Sequence, residues 1–76
     1  MSKDQPLTCF LAGSNVVVRK IGTTLADSRK LMIFGLIVGA NVKILQLRPV
    51  IVLQIDYTEF AIDRAIAALV WAEMTK

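Results

Sequence analysis

The side chains able to do chemistry in this chain are few, and their types decide more than their spacing. There is one cysteine, Cys9, no histidine, six carboxylates against nine lysines and arginines, and methionines at positions 1, 32 and 74. Without an imidazole, no Ser-His or Cys-His nucleophile can be assembled. Carboxylates could pair for general acid–base work, but four of the six fall at expected turns or chain ends. The glycines stand at 13, 22, 35 and 39, a spacing that builds no phosphate-cradling loop, and no Lys-Ser or Lys-Thr pair follows them. Tight transition-metal sites need clustered Cys, His and carboxylates. The residues therefore point to no catalytic group, no resident metal and no cofactor. Cys9, beside Phe10 and Leu11, is expected as a buried small hydrophobe.

The rest of the composition describes what must be positioned instead. At 76 residues and 8.4 kDa the chain holds one core. A hydrophobic fraction of 55% and a mean hydropathy of +0.60 exclude a disordered tail. One cysteine and no histidine exclude a disulfide scaffold and a zinc finger. The longest apolar stretch, Leu31 to Ala40, is about half of the roughly 20 residues that a spanning helix takes. The opening Lys3, Asp4 and Pro6 does not read as a secretory signal, so a cytoplasmic location is expected. The net charge is +3 and the pI about 9.4. The cations are scattered as Arg19-Lys20, Arg29-Lys30, Lys43, Arg48 and Arg64, and the rings best able to stack, Tyr57 and Trp71, lie in no basic run. A solvated surface is favoured over a nucleic-acid footprint.

Residues 1–6 read as a lead-in, and 7–76 as a single domain. Gly13, Ser14 and Asn15 mark a turn, and the β-branched run Val16 to Ile21 predicts a strand that ends at Gly22. Thr24 with Asp27 three residues on has the form of a capping box, which starts a helix at Leu25. It runs to about Phe34, with Gly35 as a left-handed cap and Gly39 resetting the chain direction. Asn41 to Leu47 alternates, with Val42, Ile44 and Gln46 on one face. Pro49 marks a hairpin corner or an edge position rather than a central strand. Strands are expected at Val50 to Ile55, Phe60 to Ile62 and Ala67 to Ala72, with a polar turn at Asp56 to Glu59 and a helical turn at Asp63 to Ile66; on propensity alone Ala65 to Ala72 could equally be helical. A short helix (25–34) among small strands predicts a mainly β fold, a barrel that protects its edges by closure.

Apolar residues exceed what such a barrel can bury. Leu31, Met32, Ile33 and Phe34 sweep nearly a full helical turn, so Met32 or Ile33 must point away from the core. Val50 to Ile55 is apolar on both strand faces, and Leu45 and Leu47 add to the surplus. Such surface marks a partner or self-association site, set against the plainer reading that these residues are core.

Three blocks carry a family resemblance. Leu7 to Gly13 reads L-x-x-F-x-x-G, and Arg29-Lys30-Leu31-Met32-Ile33-Phe34-Gly35-Leu36-Ile37-Val38-Gly39 forms a helix and turn. Phe60-Ala61-Ile62-Asp63-Arg64-Ala65-Ile66-Ala67 stands near the end. Together they resemble the FeoA family, the small ferrous iron transport protein A, over about residues 7 to 72. The family's proline-containing hairpin is reduced here to Leu47-Arg48-Pro49, and Val38 stands where a proline is usual. The resemblance implies an SH3-like β-barrel with one short helix, also similar to the C-terminal module of iron-dependent repressors. It further implies a cytosolic regulatory partner of the membrane ferrous iron transporter FeoB, brought to the membrane's inner face by that partner. The expected contact face is Met32 and Ile33 on the helix with Leu47 and Val50 beside the hairpin, while Gly13, Thr24, Asp27, Gly35 and Gly39 shape turns and caps. A basic nucleic-acid-binding module and a self-associating subunit are the alternatives.

Overall fold

The computed structural model describes residues 3–75. In chain order it contains β1 (Gln5–Pro6), a 3-10 turn (Leu7–Cys9), β2 (Asn15–Ile21), α1 (Leu25–Ile33), β3 (Asn41–Gln46), β4 (Ile51–Ile55), β5 (Thr58–Ile62), α2 (Arg64–Ala67) and β6 (Val70–Met74). The strands form one six-stranded antiparallel sheet in the order β1-β6-β2-β3-β4-β5. The fold is mainly β with a short helix, as the pattern predicts, and SH3-like, as the resemblance implies.

The expected closure is corrected: the sheet is open, with β1 and β5 as its two ends. β1 has only two residues, and Pro6 has no N–H to donate, so this end of the sheet offers little for another strand to pair with. The sheet curls instead through irregular register at Val18/Lys20 in β2 and at Ile44/Gln46 in β3.

Alternation fills one face. Val16 and Val18, Val42 and Ile44, then Ile51, Leu53 and Ile55 are buried, joined by Phe60, Val70 and Ala72. The irregularity in β3 corrects one expectation. Leu45 is the extra residue, so Gln46 comes opposite Val52 rather than continuing the Val42–Ile44 row. The Gln46 Nε2 donates to the Val50 carbonyl at 3.1 Å.

Several boundaries also differ from the sequence pattern, most informatively the starts of β5 and β6. β5 starts at Thr58 rather than Phe60, because Asp56 adopts a left-handed φ of 55° and a tight turn of Asp56 and Tyr57 suffices. A short polar side chain tolerates that conformation. β6 starts at Val70 rather than Ala67, because α2 takes Ala67 and Leu69 closes the turn, its N–H donating to Ile66 at 3.0 Å. Before Val16 the pattern predicts no element, yet β1 pairs with β6, and Leu7 at the start of the 3-10 turn is fully buried.

Helix α1 begins and ends as its residues dictate. The Thr24 hydroxyl accepts from the Asp27 N–H at 3.2 Å. At the other end the N–H of Gly35 donates to Met32 and that of Leu36 to Leu31, each at 3.0 Å, with Gly35 at φ +87°. Leu31 and Leu36, the apolar pair this turn brings together, are both buried. A Cβ at Gly35 would meet Ile55 Cγ2 at an ordinary 3.5 Å, so the constraint there is backbone conformation rather than space. Gly35→Ala is therefore expected to cost about 1–2 kcal/mol of stability, read as a lower urea midpoint with an unchanged slope.

Candidate functional site

The two faces of α1 offer different surfaces. Asp27, Lys30, Leu31 and Phe34 recur at helical spacing and look toward the sheet. With Val50, Ala61, Ile62, Asp63 and Ile66 they line a groove of about 370 Å³. The Phe34 ring stacks on Phe60 of β5, centroids 4.7 Å apart and planes inclined by 12°, which fixes the helix against that end of the sheet.

The outward stripe of the same helix carries Leu25, Arg29, Met32 and Ile33. Met32 is 58% exposed and Ile33 81%. Ile37 and Val38 in the following loop are exposed as well. The cause is local. Leu31 and Leu36 are drawn inward by the turn at Gly35, and their neighbours are then turned out.

The β3–β4 hairpin supplies a second element. Its corner contains a cis peptide between Arg48 and Pro49. The Arg64 guanidinium, from α2, donates to the Leu47 carbonyl and ties the hairpin to the helical turn. Leu47 is half-buried and packs against the core, whereas Val50 is exposed and lines the groove. The four residues expected at one contact face thus occupy two places. Met32 and Ile33 lie on the helix stripe, outside the groove lining, Val50 lines the groove, and Leu47 packs against the core. The tether by Arg64 was missed in the pattern. Its signal was an arginine directly after Asp63, at the start of a helical turn that no apolar periodicity explains.

Cys9 is exposed, which corrects its expected burial. In a 3-10 turn residues three apart share a face, so Leu7 and Phe10 take the buried side and Cys9 is left outside. Among the described residues no three cysteines and carboxylates gather where they could hold a metal ion. Arg19 Nε lies 4.0 Å from Asp4 Oδ1. A shallow cleft of about 600 Å³ beyond Gly13 presents Ser14, Asn15, Asn41, Lys43, Gln54, Asp56 and Thr75, a polar lining of hydrogen-bonding groups. What the surface offers chemically is apolar contact and open hydrogen-bonding edges.

The family model described as "FeoA domain" matches residues 5–74. The chain belongs to the FeoA domain family. Curated proteins give no match. Among solved structures, an iron uptake regulatory protein (FeoA) is 24% identical, with a TM-score of 0.87 over 97% of this chain and all of that one. The FeoA-like protein from Clostridium acetobutylicum is 23% identical, with a TM-score of 0.83 over 100% of this chain and 92% of its own. The T. acidophilum IdeR is 22% identical, with a TM-score of 0.89 over 99% of this chain but only 36% of its own. At such identities the structural likeness fixes the fold, and the family model fixes the membership.

In this FeoA-domain chain Arg64→Ala is expected to cost about 1 kcal/mol. Amide exchange should quicken in the segment 46–50 while β2 and β6 keep their protection, which hydrogen-exchange mass spectrometry would show.

Proposed function

We propose that this chain is a small, non-catalytic accessory protein of ferrous iron uptake that docks onto the membrane transporter FeoB. FeoA family membership supports the link to ferrous iron transport. The observation that carries docking is the outward stripe of α1, where Ile33 is 81% and Met32 58% exposed on a helix fixed at both ends. A side chain held out in this way gains by burial against a partner, at about 25 cal/mol per Å² of apolar surface. Val50, on the groove between α1 and β5, extends the contact area, and Leu47 supports it from the core side. No helix among the described residues is long and apolar enough to cross a membrane. In this reading the chain reaches the inner face of the membrane through its partner.

The test is affinity capture with the tagged protein from detergent-solubilised membranes, run beside soluble lysate with and without nuclease treatment. Recovery of the FeoB transporter from the membrane fraction supports the proposal. Recovery of nucleic-acid-bound material from the lysate instead, with nothing from membranes, sinks it. Ile33→Asp is expected to abolish the capture with melting temperature within a few degrees of wild type. Met32→Asp should weaken it by about tenfold or more. Collapse of the fold in Ile33→Asp would make Ile33 a core residue and remove the argument.

A further inference from the structure

The outer edge of β5 is a row of open hydrogen-bonding positions, and one short turn fixes which they are. Only Asp56 and Tyr57 separate Ile55 from Thr58, so that pair exchanges both of its backbone bonds. The register then continues without a shift, which makes Leu53 with Phe60 and Ile51 with Ile62 the next bonded pairs. Glu59 and Ala61 therefore turn their N–H and C=O groups away from β4. Both residues are exposed, and β5 is the last strand of the sheet. Beside Ala61 runs the groove lined by Phe34, Val50, Ile62 and Ile66. An added strand would find main-chain partners at the edge and an apolar trench for alternate side chains.

Charge narrows what that strand can be. Asp56, Glu59 and Asp63 fall within β5 and its two flanks, and Asp27 lines the groove with Asp63, while Asp56 lies toward the cleft that holds Lys43. Between residues 28 and 55 there is no carboxylate at all, and between 49 and 63 no cation. Lys30 is the one cation lining the groove, and Arg64 is engaged with the Leu47 carbonyl. A chain of net charge +3 thus places three of its six carboxylates on β5 and its flanks and a fourth on α1 beside the groove. A second copy pairing antiparallel through β5 would bring acidic edge against acidic edge, which opposes self-association.

We infer that the β5 edge accepts an extended, lysine-bearing segment of a partner protein as an added strand. Glu59 and Ala61 bond its main chain, and Asp27, Asp56, Glu59 and Asp63 attract its cations. This goes beyond the docking stripe of α1 and does not depend on Met32 or Ile33.

The probe is a labelled peptide alternating lysine and valine, titrated against the full chain, with a glutamate–valine peptide as its counterpart. The lysine peptide is expected to bind and to slow amide exchange at Glu59 and Ala61. Ala61→Pro removes an outward N–H, leaves the bonds to β4 in place and suits the extended Phe60 before it. It should keep the wild-type circular dichroism and lose at least about tenfold in affinity. Glu59→Lys should lose a similar factor, and its readout stands even where Ala61→Pro fails to fold. Ile33→Asp should bind the peptide as wild type does, so loss of transporter capture and loss of strand addition are separately visible. Equal binding of the glutamate peptide, or unchanged exchange at Glu59 and Ala61, overturns the inference. A concentration-dependent dimer that protects these amides without peptide overturns it in favour of a second copy.

Discussion

The turn from Leu31 through Gly35 to Leu36 is the constraint on which the rest of the molecule depends. Two backbone bonds and one left-handed glycine bring Leu31 and Leu36 together, and both are buried. Each buried leucine contributes about 1.5–3 kcal/mol, which holds a helix of only nine residues that would be marginal alone. The chain then reaches Gly39, whose N–H donates to the Val18 carbonyl at 2.7 Å while the Val18 N–H donates back to the Ala40 carbonyl at 2.9 Å. That clasp continues directly into β3. Helix position, loop path and strand register are consequently one decision, made over about ten residues.

The same decision creates the surface. With Leu31 and Leu36 committed inward, Met32 and Ile33 have no core to enter, and Phe34 is left to lie over Phe60. The apolar exposure is thus a by-product of a well-determined turn rather than loose packing. A rigid display of this kind loses little conformational freedom when covered, which lowers the entropic cost of recognition.

Sequence reading succeeded where a local rule had no competitor. Thr24 with Asp27, Gly35 and the β-branched run of β2 each carry a strong local preference, and the cap, the left-handed turn and the strand formed where that preference put them. It faltered where a tertiary partner decided. Pro6 joins a strand only because β6 lies beside it, and Ala67 is helical because the chain must turn before Leu69 meets Gly22, whose N–H donates to Leu69 at 2.7 Å. Cys9 shows the limit most simply: an apolar neighbourhood in sequence says nothing about which side of a 3-10 turn faces out. At the site, the exposure of Ile33 was legible from four apolar residues in a row. The separation of Val50 from Met32 was not, because it depends on how α1 crosses the sheet.

The place of β6 in the sheet has a consequence for synthesis. This strand, the last of the described residues to form an element, sits between β1 and β2 rather than at an edge. While the ribosome makes the chain, β2 to β5 can assemble as a meander with α1 folded across it. Both Gln5 and Val18 then wait for Ala72. Until that residue emerges, β2 presents an open edge and the N-terminal residues have nothing to pair with. The nascent domain completes its core in a single late step of long sequence separation, and that interval is when it is most open to misassociation.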